Sequence, residues 1–249
     1  MCTLEKRGGV YILTLTGSGE HRLNPTLLDS IKSALTRLRA EPVSPSSVLV
    51  TTAQGKFFSN GYDLAWGGSA TSPDAVQFRH RLMSSKLRSV ISDLISLPMP
   101  TVAAVSGHAS AAGMILALSH DYVVMRRDRG FLYLSELDIG LVIPAWFMAV
   151  LKCKIVDAKA RMEVVLKAAK LTAEMAVEKG IVHSAHDGAE ATVEAAIEMG
   201  EALVRRRWDG HVYANNRMVV LSEVLDKLGL DETVEGQVGE TVAATKSKL

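Results

Sequence analysis

The chain has 249 residues, 48% of them hydrophobic and 22% charged, with a formal net charge of +1. This composition excludes wholesale disorder and describes a folded chain long enough for one large domain. Near-neutral charge gives no global basis for binding nucleic acid or an anionic membrane, so Arg205-Arg206-Arg207 reads as a solvated helix end.

Cys2 and Cys153 lie far apart without metal-like spacing, so neither a disulfide framework nor a zinc site is expected, and a reducing compartment is the simpler inference. The N-terminal stretch lacks the apolar core of a signal peptide, and no apolar run reaches the length of a membrane span. A soluble protein is expected. Ser247-Lys248-Leu249 at the C-terminus form the peroxisomal import tripeptide, which implies an import receptor as a partner.

In chain order, Gly9 to Thr16 reads as a strand, with a turn at Gly17-Ser18-Gly19. Pro25 to Arg39 has helical spacing, with Leu27, Leu28, Ile31, Ala34, Leu35 and Leu38 on its buried face. Pro42 and Pro45 break that helix, and Ser47 to Thr52 is a further β-branched strand, so a β, β, α, β opening points to an α/β layered fold.

Gln54 to Trp66 packs glycine, aromatics and Asp63 into a loop ahead of a helix-compatible region from Pro73 to Leu97. Gly61 permits backbone geometry in which the next residue, Tyr62, presents its N–H to a ligand oxygen. Thr101 to Val105 is a buried strand, followed by the small residues 106–113 and an apolar helix to Leu118. Small side chains admit close approach to the backbone, and equally serve tight helix-to-strand packing. His108 is a formal acid–base candidate, although a histidine beside a glycine turn is more often a hydrogen-bonded structural residue.

A short β-rich run, Phe131 to Leu134, ends on Ser135-Glu136. A strand-end glutamate is ordinarily solvated. If Leu134, Leu137, Ile139 and Leu141 pack around Glu136, it loses hydration, its pKa rises, and it becomes suited to taking a proton near neutral pH. Beyond it, Val156 to Ala169, Thr172 to Lys179 and Ala189 to Trp208 read as helices.

The segments FFSNGYDL, AAVSGHASAAGMILALSHDYVVM and YLSELDIGLVIPAW occur in the order and spacing of the crotonase (enoyl-CoA hydratase/isomerase) superfamily. The chain resembles that family over almost its whole length, and within it is most similar to the plant peroxisomal Δ3,Δ2-enoyl-CoA isomerases. The resemblance implies an α/β crotonase (ClpP-like) fold of repeated ββα units. It implies a single domain over 1–249, with a core over 1–190 and a helical C-terminal portion over 191–249 that ends in the import tail.

The resemblance also implies an acyl-CoA thioester substrate, with the N–H groups of Tyr62 and Ala112 holding its oxygen. Asn60, Gly61, Asp63, Leu64 and Ser135 fall at substrate- and CoA-contacting positions. Ala111-Ala112-Gly113 stands where many members have three glycines, and an alanine N–H serves equally if its φ is negative. Of the two glutamates of the hydratases, the first falls at Ile115 and the second at Glu136. Keeping only Glu136 is the isomerase pattern, which moves a 3-enoyl double bond to the 2-position without metal or redox cofactor, since the thioester is the electron sink. A homotrimer or dimer of trimers is implied. The alternatives are a hydratase or hydrolase of the same fold, or an acyl-CoA-binding protein without catalysis.

Overall fold

The computed structural model describes residues 1–17, 19–40 and 47–230. Pro42, Pro45 and Ser247-Lys248-Leu249 lie outside the described residues. Strand β1 (Cys2–Arg7) pairs antiparallel with β2 (Val10–Leu15). Helix α1 (Pro25–Ala40) follows and buries the six residues expected of its inner face. Strand β3 (Val48–Ala53) is buried at every position, as suits a parallel strand covered on both sides.

Three more units repeat one pattern of two strands and a helix. After β3 come β4 (Phe57–Ser59), the short helix α2 (Leu64–Gly68) and the long helix α3 (Pro73–Ile95). Ser72 caps α3 through Ala75 N–H at 3.3 Å, and Pro73 occupies its first turn, where a missing N–H costs nothing. Next come β5 (Thr101–Val105), β6 (His108–Ser110) and α4 (Ala112–Leu118), then β7 (Tyr122–Arg126), β8 (Leu132–Tyr133) and α5 (Ala145–Lys154). The remainder is α6 (Ala158–Leu166), α7 (Ala173–Glu178), β9 (Ser184–His186), α8 (Ala189–Val204), α9 (Gly210–Val220) and α10 (Ser222–Leu228). The segments expected to be helical at 156–169 and 189–208 form shorter helices capped by Asp157 and ended at Arg205, and α9 and α10 lie within the C-terminal portion expected to be helical.

The first strand of each unit joins a six-stranded sheet, ordered β1-β2-β3-β5-β7-β9 and parallel except at β1. The second strands of the last three units form a separate parallel sheet, β4-β6-β8. Strand alternation divides the core in two. Val10, Ile12, Val48, Val50, Val102, Ala104 and Val124 face α8, meeting Ala196 and Ile197. The alternate residues Leu13, Leu15, Leu49, Ala103, Val105 and Met125 join α1, α3, α4 and α5 in the larger core.

One polar group is lodged between layers. The fully buried His120 ring bonds the Leu116 carbonyl through Nδ1 at 3.0 Å and the Thr51 hydroxyl through Nε2 at 2.8 Å. A carbonyl only accepts, so Nδ1 carries the proton and Nε2 accepts from Thr51. Burial lowers the imidazole pKa to about 4, because charging it would place an ion in the core. The unfolded chain therefore protonates first on acidification, and this contribution to stability, intact above the ordinary imidazole range, is lost as pH falls toward 4. Urea unfolding should show about 2 kcal/mol less stability at pH 5 than at pH 7 from this residue. A His120→Asn variant should lack that part of the decline.

Candidate active site

Because β4, β6 and β8 run parallel, their carboxyl ends emerge at one edge of the small sheet, where open α/β sheets commonly receive ligands. Tyr62 lies three residues beyond β4, Ala112 two beyond β6 and Glu136 three beyond β8. Neighbouring strands lie about 4.8 Å apart, so these three loops meet.

Gly61 has φ +71, and its carbonyl accepts from Leu23 N–H at 2.8 Å. Leu23 then pairs in parallel with Tyr62, which turns the Tyr62 N–H away from Leu23. A side chain at Gly61 would put its first carbon 3.1 Å from the Ala111 Cβ and the Ser110 carbonyl, and 3.4 Å from Ala112 N. The two backbone segments are that close, which only glycine allows. At Gly113, a first carbon would sit 2.3 Å from the Ser59 carbonyl, so α4 packs directly on the main chain of β4.

Ala112 opens α4, and its N–H has no carbonyl one turn earlier within the helix. Its φ is not positive, but that of Ala111 is, at +50 with ψ −125, a corner that favours glycine. Strain of this kind costs on the order of 1–3 kcal/mol, and Ala111 is held by its N–H bond to the Tyr133 carbonyl at 2.9 Å.

Glu136 begins a single helical turn. Leu141 N–H bonds back to the Glu136 carbonyl at 2.8 Å and Gly140 N–H to that of Leu137 at 3.3 Å, with Gly140 at φ +71, a Schellman closure. The turn points Glu136 inward, where it is 6% exposed, and its neighbours outward. Leu137, Ile139 and Leu141 are therefore about half exposed, at 54%, 53% and 49%, and do not bury it as expected. Only Leu134 of that group is buried, and the desolvation comes from the rest of the fold. Burial raises the Glu136 carboxyl above its ordinary range, opposed by the main-chain N–H groups of Glu136 and Ser135. Glu136 Oε2 is buried without a hydrogen-bond partner.

The remaining expected residues have defined surroundings. Asn60 donates to Glu20 Oε2 at 3.0 Å, half-buried Ser135 accepts from Ile139 N–H at 3.2 Å, and Leu64 is exposed. Asp63 caps α2 through Trp66 N–H at 3.0 Å and accepts from Asn24 at 3.2 Å. Sequence reasoning passed over Asn24, which also bonds Leu27 N–H at 3.0 Å; its position just before Pro25 at a helix start was the available signal. His108 lies at the opposite edge of the small sheet, between the rings of Phe57 and Phe131 at 5.0 and 5.6 Å. Burial, then Lys56, Arg129 and Lys170, lower its pKa, and it is remote from Glu136 along the strand direction. Ile115 is fully buried one turn into α4. Trp146, also fully buried, leaves its indole N–H without a partner, and its neighbour Phe147 reaches the Tyr62 ring at 6.4 Å.

Among the described residues no group of three or more His, Cys, Asp or Glu could hold a metal, and no helix is long and apolar enough to cross a membrane. The site joins two closely apposed backbone segments to one desolvated carboxylate, an arrangement able to hold an oxyanion and move a proton.

A family model described as enoyl-CoA hydratase/isomerase matches residues 5–227. The chain is 61% identical over 225 residues, 90% of this chain and 91% of the relative, to enoyl-CoA delta isomerase 1, peroxisomal, of Arabidopsis thaliana. It is 48% identical to the second such Arabidopsis enzyme, covering 94% of this chain and 98% of that one. A solved probable enoyl-CoA hydratase from Mycobacterium tuberculosis superposes with a TM-score of 0.85 at 20% identity over 97% of this chain and 98% of that one, a likeness of fold.

Ionising a buried carboxylate with one unpartnered oxygen is unfavourable, so the folded state binds this proton more tightly than the unfolded chain does. The resulting penalty is absent in acid and grows as pH rises above the ordinary carboxyl range. Glu136→Gln should therefore unfold at a higher temperature than the wild type at pH 8, by on the order of 1–3 kcal/mol. The two should converge near pH 4 in calorimetric scans.

Proposed function

The chain belongs to the enoyl-CoA hydratase/isomerase family, and on that premise we propose that it moves the double bond of a 3-enoyl-CoA to the 2-position. The observation that carries this is the lone carboxylate. Glu136 is buried with an unpartnered oxygen, while Ile115, at the position of the other glutamate of the hydratases, is a buried aliphatic side chain unable to orient water. Two relatives named enoyl-CoA delta isomerase, each aligned over nine-tenths of the chain, support the same assignment.

The thioester oxygen is received by the N–H groups of Tyr62 and Ala112, which acidifies the α-carbon. Glu136, its carboxylate poorly solvated and therefore basic, removes a proton from C2. The electron pair left on C2 delocalises into the thioester carbonyl, in conjugation with the C3–C4 double bond, giving a dienolate whose oxygen the two N–H groups stabilise. Each such donor contributes roughly 3 to 4 kcal/mol to lowering the barrier. Glu136 then returns the proton at C4, leaving the conjugated 2-enoyl thioester. Loop 60–64, with Asn60, Gly61, Asp63 and Leu64, and Ser135 beside the base, line the path of the CoA portion, and no metal or redox cofactor enters. Self-association into trimers belongs to the same proposal.

Incubation with 3-enoyl-CoA should produce absorbance of the conjugated thioester. Glu136→Gln should lower kcat by about 10²- to 10⁴-fold with little change in KM. Accumulation of 3-hydroxyacyl-CoA from 2-enoyl-CoA at a comparable rate would establish a hydratase instead, and tight CoA-ester binding without turnover a non-catalytic binder.

The peroxisomal names of the two relatives and the C-terminal Ser247-Lys248-Leu249 together support import into the peroxisomal matrix. Deleting those three residues should leave turnover and melting temperature unchanged and shift a fluorescently tagged chain from peroxisomes to cytosol. Persistent import would assign the address to another segment or to a co-imported subunit.

A further inference from the structure

A cavity of about 560 Å³ opens at the other end of α4 from Ala112, a helix length of roughly 10 Å away. Lys154, at the end of α5, lies in its wall, and Trp208, Val212, Tyr213, Val220 and Leu221 make the wall predominantly apolar. The Trp208 and Tyr213 rings stack at 5.7 Å with 24° between planes. The volume falls in the range of about 300–1,000 Å³ typical of small-molecule sites.

One cation of this cavity, Lys154, has no carboxylate partner among the described residues. Arg217, with a side chain 4% exposed, donates from Nη1 to the carbonyl of Leu94 at 2.6 Å and from Nη2 to that of Met99 at 2.5 Å, and its Nε forms an ion pair with Asp121 Oδ1 at 2.8 Å without a hydrogen bond. The other oxygen of Asp121 accepts from the N–H and hydroxyl of Thr101 at 2.8 and 3.2 Å. Asp209, on the exposed rim, is committed to capping α9 through Val212 N–H at 2.9 Å. Among the described residues Lys154 Nζ donates only to main-chain oxygens, His120 at 2.8 Å and Asp121 at 3.5 Å, and an ammonium has three donors. Lys154 is part-buried, and among the described residues no carboxylate lies within ion-pair distance of it, whereas charges withdrawn from water are ordinarily paired. Burial lowers the Lys154 ammonium pKa, Asp121 opposes this, and Arg217 adds to the lowering.

We propose that this cavity binds the carboxylate of an aliphatic acid, with the head group on Lys154 and the chain along Trp208, Val212, Val220 and Leu221. An anion would give Lys154 an ion-pair partner and supply an acceptor for its remaining N–H, while the chain would cover apolar wall. The site is separate from the carboxylate and N–H groups assigned to isomerisation, so it stands or falls independently of that assignment.

The test is titration of the full-length protein with decanoate and, in parallel, with decanol, followed by calorimetry and by the fluorescence of half-exposed Trp208. Decanoate should bind at least tenfold more tightly than decanol. Lys154→Met should weaken decanoate by tenfold or more, and Lys154→Arg should retain it. Val212→Glu, at an exposed position where folding is not at risk, should weaken decanol and weaken decanoate more. Equal affinity for acid and alcohol, or binding indifferent to Lys154 and Val212 as at the Glu136 site, would overturn the proposal. So would an absence of binding, as when a second copy of the chain closes the cavity.

Discussion

Parallel pairing of three short strands is the constraint on which the site depends. Each strand of the small sheet has only two or three residues, yet the pairing of Phe57 with His108 and of Ser110 with Tyr133 places three chain segments in register. Tyr62, Ala112 and Glu136 are far apart in sequence, and each follows its strand at nearly the same interval. The larger sheet and its covering helices supply the apolar burial that makes so small a sheet viable, since few strands without a large core are marginal in water.

Close approach at this edge is secured by missing side chains. Gly61 lies against Ser110 and Ala111, and Gly113 against the Ser59 carbonyl, so either glycine carrying a methyl group would push β4 away from α4. Ala111 departs from this economy by holding a conformation suited to glycine. The orphaned oxygen of Glu136 is a cost of the same kind, since a folded chain ordinarily satisfies its buried polar atoms. Both departures lie within a few residues of the proposed oxyanion and base positions, where strain and desolvation serve chemistry rather than stability.

Much of the fold was legible because periodicity reports burial directly. The six inner residues of α1 and the strands at 10–15, 48–53 and 101–105 follow the expected pattern. The small sheet was not legible: β6 is three residues long, and its Ala and Ser side chains suit a turn as well as a strand. The surroundings of Glu136 were misjudged for a related reason. Proximity in sequence suggested that Leu137, Ile139 and Leu141 would bury it, but the turn closed at Gly140 directs them outward.

The sequence by itself determined which residues could do chemistry: one glutamate at a strand end, an aliphatic residue at 115, and two glycine-bearing turns, in an order and spacing that resemble one family. These are properties of residue type and local spacing, and they survive without coordinates. The tertiary structure alone decided that Glu136 is desolvated, that the backbone at 61 approaches that at 112, and that Arg217 takes the Asp121 carboxylate while Lys154 bonds main-chain oxygens beyond the far end of α4. Each is a relation between segments distant in the chain. Burial and charge balance come from the packing of the whole molecule, and no local pattern encodes them.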